Sequence, residues 1–221
     1  MNILTNSNRS KTLMNYLFSN IPFPFEYKYF YFFIIDIAKE EDINKVLTFF
    51  EELFIDVIFI EYENKYYMFY FDQFDFDIES IISSLMDDFS IKFKVYASAK
   101  IKPENKDFFF ITNDLYNKYI ANKSRYYLTN LDLVTEIILH NINDLKLIRP
   151  IILNDLFEDP QMEILIRAMF DCDLNVTKTA SNIYMHRNTV IKRLEQIKNT
   201  TGLNIQKFND ANIMYWLIKK K

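Results

Sequence analysis

The stretch NVTKTASNIYMHRNTVIKRLEQIKNTTGL (175–203) concentrates the side chains of this sequence that could do chemistry. Its Arg and Asn side chains have the donors and acceptors that pair with guanine and adenine edges in the major groove of DNA. Its Lys and Thr side chains suit phosphate oxygens, which set affinity and salt dependence. These residue types indicate nucleic-acid recognition rather than catalysis.

Charge is distributed unevenly along the chain. The whole sequence carries a formal charge of −4, yet residues 175–221 hold nine Lys and Arg against Glu195 and Asp210, a net of +7. The remaining residues therefore carry −11. A basic segment joined to an acidic body favours a polyanion as the partner of the basic end. Solvated helices also carry Lys on their surface, which is the plainer interpretation.

Glycine, histidine and cysteine are too scarce for most enzyme signatures. Gly202 is the only glycine, so no phosphate-binding loop, dinucleotide fingerprint or nucleophile elbow can be written. His140, His186 and the single Cys172 are too few and too far apart for a structural zinc site, and a lone cysteine forms no internal disulfide. We therefore expect no catalytic residue, no metal and no cofactor.

The composition is that of a globular protein, with 50% hydrophobic and 25% charged residues. The longest apolar run, residues 29–35, is far shorter than the ~20 residues that a membrane helix needs. The first residues lack the apolar core of a signal peptide. The sequence thus predicts a cytoplasmic protein without membrane contact.

Two short helices are predicted within 175–201, and the first begins at Asn175. The Asn175 side chain can cap the helix by accepting a bond from the backbone N–H near Lys178. Its apolar face would comprise Val176, Thr179, Ala180 and Ile183. A break at Tyr184-Met185 leads to a second helix, and Gly202 supplies the left-handed residue that ends it. The apolar stripe of that second helix would comprise Val190, Leu194 and Ile197.

The opposite side of the second helix is polar and would remain free to enter a DNA groove. Such a helix–turn–helix places the amino end of its second helix at base edges. Arg187 and Lys192 could instead be ordinary solvated charges, His186 could simply cap its helix, and Asn188 could bond to local backbone. The predicted DNA-binding residues are Thr177, Lys178, Thr179, His186, Arg187, Asn188, Thr189, Lys192 and Arg193.

The amino-terminal half alternates between aromatic or β-branched runs and helical periodicity. An amphipathic helix over 5–19, with Leu13, Tyr16 and Leu17 on one side, precedes a proline-containing connector. The order βαββαβ that follows predicts an antiparallel sheet covered on one face by helices, the ferredoxin-like arrangement. The predicted strands are 27–37, 56–63, 65–73 and 91–101, and the predicted helices are 40–54 and 77–90, with a hairpin turn at Glu63-Asn64.

Helical periodicity replaces strand signals in the second half. A helix is predicted over 106–122, and residues 131–157 are interpreted as helices interrupted at Pro150. The fold class is therefore α+β, an N-terminal ferredoxin-like domain followed by an all-α domain. The predicted organisation is an N-terminal helix and linker (1–26), an α/β domain (27–125) and a helical DNA-binding domain (126–221).

The segment TKTASNIYMHRNTVIKRLEQIKNTTGLNIQKFNDANIMYWLI resembles the C-terminal helix-turn-helix of the PucR/CdaR family of bacterial transcription regulators. The resemblance rests on the residues Thr179-Ala180, Ile183, His186-Arg187-Asn188-Thr189, Arg193-Leu194, Ile197 and Thr201-Gly202-Leu203. This sequence has Tyr184 where many helix-turn-helix proteins have glycine, and Lys192 where the family often has an aromatic residue. The resemblance implies double-stranded DNA as the partner.

The same resemblance implies a degenerate relative of the diguanylate cyclase GGDEF domain before the helix-turn-helix. The βαββαβ order of residues 27–101 is consistent with this GGDEF-like domain. The hairpin that carries the glycine-rich signature in active cyclases is Glu61-Tyr62-Glu63-Asn64-Lys65 here. Asp36 matches the position of a metal-binding carboxylate, although a lone Asp at a strand end is more commonly a solvated boundary residue. We therefore expect no cyclase activity.

The leading hypothesis is a transcription regulator that reads a promoter site as a homodimer, because one short helix covers few base pairs. The acidic N-terminal body would sense a small-molecule effector of unknown identity, mediate dimerisation, or both. One alternative is a divergent nucleotide cyclase or phosphodiesterase that uses Asp36. Another is a protein-interaction module whose basic charge is incidental.

Overall fold

The chain divides into two compact units, with the boundary in the sequence between Asn130 and Leu131. The computed structural model describes residues 8–19 and 21–219, apart from the side chains of Glu40, Asn154 and Asp155. Residues 5–7 of the predicted first helix, and Lys220 and Lys221 of the basic segment, lie outside these described residues. A five-stranded sheet in the first unit and a helical second unit confirm the α+β fold class.

The first unit contains the predicted βαββαβ order, flanked by two further helices and a short fifth strand. The sheet order is β2-β3-β1-β4-β5, antiparallel among the first four strands, while β5 runs parallel to β4. Strand β5 has only two residues, which is too short for a strand pattern to be recognised in the sequence. The elements are α1 (Asn8–Phe18), β1 (Tyr31–Ile37), α2 (Ile43–Leu53), β2 (Val57–Tyr62), β3 (Lys65–Tyr70), α3 (Ile78–Phe89), β4 (Phe93–Ala97), α4 (Asp107–Tyr119) and β5 (Tyr127–Leu128).

Helices cover both faces of this sheet, so the predicted single covered face is wrong. Phe33 and Ile35 of β1 belong to the apolar cluster formed with α2 and α3. On the other face, Phe109 of α4 packs edge-on against Phe32, with ring centroids 5.1 Å apart. Residues 32–35 of β1 are all fully buried. They form a continuous apolar run, which is typical of a strand that is buried on both sides.

The β2–β3 hairpin turns at Glu63-Asn64, as predicted. Both residues have positive φ, 49° and 59°, the conformation of a two-residue type I′ turn. Asn113 of α4 donates a hydrogen bond from Nδ2 to Glu63 Oε2 at 2.8 Å, and Tyr67 donates one to Asn113 Oδ1 at 2.6 Å. Contacts to α4 therefore support a turn that lacks the favoured glycine.

The second unit is helical, and its first helix begins at the boundary between the units. Its core includes Ile148, Leu165, Met169 and Met214, all fully buried. Arg149 donates from Nε to the carbonyl oxygen of Leu217 at 2.7 Å and so joins the second and last helices of this unit. The helices are α5 (Asn130–His140), α6 (Leu145–Leu153), α7 (Pro160–Asp171), α8 (Val176–Asn182), α9 (Arg187–Thr201) and α10 (Phe208–Lys219).

The predicted interruption at Pro150 is wrong, because α6 continues through this residue. The break lies at Asn141, whose side-chain oxygen accepts a hydrogen bond from the Asn143 backbone N–H and caps a 3-10 turn. A proline inside a helix removes one backbone hydrogen bond without necessarily ending the helix. The pairing of β5 also keeps residues 127–128 with the first unit, beyond the predicted limit of 125.

Within residues 8–19 and 21–219, no helix combines the length and the apolar character needed to cross a membrane.

Candidate nucleic-acid interface

Helix α8 begins as the sequence predicts. The backbone N–H of Lys178 donates to Asn175 Oδ1 at 3.0 Å, so Asn175 is the N-cap. Thr177 and Lys178 are exposed in the first turn, which contains no acidic residue. The amino end of α8 therefore presents a positive dipole end, a Lys ammonium and a Thr hydroxyl, all of which suit a phosphate.

Thr179 lies in the core, so the prediction that it contacts DNA is wrong. Its side chain is fully buried, and its hydroxyl donates to the carbonyl oxygen of Asn175 at 2.9 Å. Neighbouring Ala180 is buried as well. The physical reason is the helical period: Thr179 lies on the same inward face as Val176 and Ala180.

The turn between α8 and α9 closes through a left-handed residue. Tyr184 has φ of 53° and its side chain is 98% exposed. The Met185 N–H donates to the carbonyl oxygen of Ala180 at 2.8 Å, and the Tyr184 N–H donates to that of Ser181 at 3.4 Å. This pair of bonds is a Schellman motif, in which glycine is the residue with the least steric cost.

Replacing Tyr184 with glycine is therefore expected to stabilise the turn. Removing Cβ relieves the left-handed strain, and the net gain in the free energy of unfolding should be about 0.5–1 kcal/mol after glycine's greater unfolded-state entropy. Ser181→Gly, within the last turn of α8, is the matched control and should destabilise instead. Urea denaturation of both variants measures the difference, and a Tyr184→Gly variant less stable than wild type would contradict the strain argument.

His186 is the N-cap of α9, in agreement with the alternative that it caps its helix. The Asn188 backbone N–H donates to His186 Nδ1 at 3.2 Å, so the imidazole caps the helix while the side chain stays exposed. At the other end, Gly202 has φ of 76° and its N–H donates to the carbonyl oxygen of Lys198 at 2.8 Å. The sole glycine ends α9 in the left-handed conformation that the sequence predicts.

The two sides of α9 differ sharply in burial. Val190, Leu194 and Ile197 are buried, with exposures of 0%, 5% and 0%. Four polar residues on or beside the outward side are exposed, and the first turn contains no acidic residue. This outward, amino-terminal group, which we term the α9 edge, comprises Arg187, Asn188, Thr189 and Lys192.

These two helices with their short turn form the geometry that enters a DNA major groove. Comparison with known proteins identifies the surrounding segment. Residues 164–218 match the PucR C-terminal helix-turn-helix domain. The chain thus carries this domain from within α7 to within α10, and the predicted resemblance is confirmed for that part.

Comparison with solved structures finds distant similarity. The crystal structure of a regulator of polyketide synthase expression from Bifidobacterium adolescentis aligns with 98% of this chain and 92% of its own, at 17% identity and a TM-score of 0.38. No curated protein matches the chain. The GGDEF-like relationship of the first unit is not confirmed by these findings.

Arg193 joins α9 to the amino end of α7. Its Nη1 lies 2.7 Å from Asp159 Oδ2, and its Nη2 donates to Gln161 Oε1 at 2.6 Å. Asp159 is also the N-cap of α7, where it accepts the Gln161 N–H. Because the guanidinium is already engaged by α7, we leave Arg193 out of the DNA contacts that we propose below.

The Arg193–Asp159 pair makes the stability of the second unit depend on pH. The Arg193 hydrogen bond holds the pKa of Asp159 below its ordinary value. A carboxyl group with a lowered folded-state pKa stabilises above its unfolded pKa, and this contribution is lost as the pH falls through the folded value. Arg193→Gln should therefore lower the denaturation midpoint at neutral pH, and the difference from wild type should shrink at acidic pH below ~4.

Thermal denaturation at several pH values checks this expectation. Arg167→Gln is the matched control, because Arg167 pairs with Glu163 four residues away on the same helix, whereas Arg193 pairs with a residue outside its own helix. Its effect at neutral pH should be smaller. An Arg193→Gln deficit that stays constant down to strongly acidic pH would show that the ion pair is not its cause.

Several apolar side chains of the described residues are exposed, and one of them, which the sequence did not predict as a contact residue, lies on α9. Ile191 on α9 is 45% exposed, whereas Val190 before it is fully buried. The helical period was the available signal, because Ile191 is four residues after Arg187 and three after Asn188. Farther along, the single acidic residue of α9, Glu195, forms an ion pair with Lys198 at 3.4 Å.

Proposed function

We propose that this chain is a DNA-binding transcription regulator that reads a promoter site with the α9 edge in the major groove. The observation that carries the proposal is the exposure of Arg187, Asn188 and Lys192 at the amino end of α9, within a PucR-type helix-turn-helix. Side chains at this end of a second helix are the ones that reach base edges in such domains.

The proposed contacts divide into base reading and backbone positioning. The guanidinium of Arg187 can donate two hydrogen bonds, to O6 and N7 of guanine, and the side-chain amide of Asn188 can pair with N6 and N7 of adenine. Backbone contacts fix the orientation of α9 on the duplex. We assign these contacts to Thr177, Lys178, His186, Thr189 and Lys192.

We propose that the regulator binds as a homodimer. A single helix of this kind reads only a few base pairs, which gives too little specificity against a genome of competing sites. Two copies related by a two-fold axis would read half-sites about one helical turn apart. The active form would then require an inverted repeat in the DNA.

The first unit would supply dimerisation, effector sensing, or both, and the protein would act in the cytoplasm. Its topology is consistent with a degenerate GGDEF-like domain, which we retain as a proposal. Nothing favours the cyclase alternative: Asp36 lies opposite Lys94 in the sheet, and Lys94 Nζ is 3.5 Å from Asp36 Oδ2. That carboxylate therefore already has a cationic neighbour.

Selection from a pool of random DNA duplexes tests the proposed function with the full chain. Repeated capture and amplification should enrich one inverted-repeat sequence, hereafter the selected duplex. Its affinity should exceed that of a shuffled duplex by about a thousand-fold or more. Affinity for both duplexes should fall steeply with salt, because Lys and Arg displace counterions from phosphates.

Two outcomes would contradict the proposal. A pool that yields no enriched sequence would favour the interaction-module alternative, in which the basic charge is incidental. Binding of one copy to a single half-site, measured by light scattering of the complex, would contradict the proposed homodimer but not the proposed recognition of DNA.

A further inference from the structure

We propose that Ile191 reads the C5-methyl group of a thymine, and that each half-site of the recognised DNA therefore contains a thymine facing α9. The inference rests on the proposed function and extends it to a preferred base. Its basis is one partly exposed branched apolar side chain within the otherwise polar outward side of α9.

The position of Ile191 places it among the proposed base contacts. On a helix surface, residues three and four apart are neighbours, with Cβ atoms about 5–6 Å apart. Ile191 therefore adjoins Asn188 and Arg187 on one side and Glu195 on the other. A helix that brings Arg187 and Asn188 to base edges brings Ile191 to the floor of the same groove.

Ile191 does not belong to the buried stripe of α9. The inward stripe of α9 is completed by Val190, Leu194 and Ile197, while Ile191 remains 45% exposed. At a solvated helix position, a β-branched side chain has lower helix propensity than Lys, Glu or Gln. Its neighbours Asn188 and Lys192 follow the polar preference of such a surface, and Ile191 departs from it.

The major groove offers one chemical group that suits Ile191. Among the four bases, the thymine C5-methyl is the apolar group displayed there, and apolar side chains contact it. Packing Ile191 against this methyl removes apolar surface of both partners from water. Cytosine, which lacks the methyl and presents an amino donor instead, would leave the side chain against a polar group.

Replacing individual thymines of the selected duplex with deoxyuridine isolates this contact. Deoxyuridine keeps the base pairing and loses only the C5-methyl. For the full wild-type chain, one such replacement in each half-site should weaken binding about four-fold, the effect of one buried methyl-sized group. Ile191→Ala should bind the thymine duplex more weakly and lose nothing further when that thymine is replaced.

Ile164→Ala is the matched control, because Ile164 is also an exposed isoleucine of the second unit, 55% exposed on α7. This variant should keep the wild-type response to deoxyuridine. Ile191→Val, which retains the branched apolar group, should keep most of that response. This variant therefore distinguishes loss of the apolar contact from a general defect of the alanine variant.

The inference is overturned if no deoxyuridine replacement weakens wild-type binding, or if the loss at that thymine persists in Ile191→Ala. Either result would leave the proposed function standing, since the duplex would still have been selected and bound. Failure of the selection itself would instead overturn the proposed function.

Discussion

Leu194→Ala should lower the free energy of unfolding of the second unit by about 2–5 kcal/mol. Leu194 is 5% exposed and lies between the fully buried Val190 and Ile197 on the inward stripe of α9. Truncation removes apolar contacts and leaves a cavity that the surrounding helices fill only in part. Because this stripe holds α9 in place, the same change should also weaken DNA binding.

Denaturation followed by circular dichroism measures the stability effect. Gln196→Ala serves as the control, since Gln196 is exposed two residues away on the same helix, and its effect should stay within ~0.5 kcal/mol. The chain has two compact units, so the helical signal is analysed for two transitions. A loss for Leu194→Ala no larger than that for Gln196→Ala would contradict the packing of this stripe.

Arg187→Ala should weaken binding to the selected duplex by about 1–3 kcal/mol, roughly five- to 150-fold. The cause would be loss of the bidentate bond to guanine, a contact that discriminates between bases. Affinity for a shuffled duplex should change much less, because non-specific binding depends mainly on charge at phosphates. Fluorescence anisotropy on both duplexes at one fixed salt concentration measures the two effects.

Lys198→Ala gives the charge-matched control for this variant. It removes one positive charge from the carboxyl-terminal turn of α9, where Lys198 pairs with Glu195. Any loss of affinity that Lys198→Ala causes should be small and similar for the two duplexes. An Arg187→Ala loss of equal size on selected and shuffled DNA would assign Arg187 to the backbone and not to a base.

The local signals in the sequence were enough to predict the helix pair. Asn175 and Gly202 act within a few residues of their own position, as a cap and as a left-handed terminator, and both adopt the predicted roles. Such features follow from short-range hydrogen bonding and backbone sterics, which the sequence specifies directly.

Features that depend on tertiary packing were predicted less well. The second covered face of the sheet requires knowing where α4 docks, and the pairing of β5 requires a distant strand. Thr179 shows the same limit within the site: its polar side chain suits a phosphate, yet its position on the inward face buries it. Arg193 suits DNA by type but pairs with Asp159, thirty-four residues earlier.

Methylation interference on the selected duplex shows which groove of the DNA the α9 edge enters. Methylating guanine N7 blocks the major groove at single positions, whereas methylating adenine N3 blocks the minor groove. N7-methylation at one guanine per half-site should prevent binding of the wild-type chain and have little further effect on Arg187→Ala. Interference confined to adenine N3, or an identical N7 pattern for the two proteins, would contradict a major-groove reading by the α9 edge.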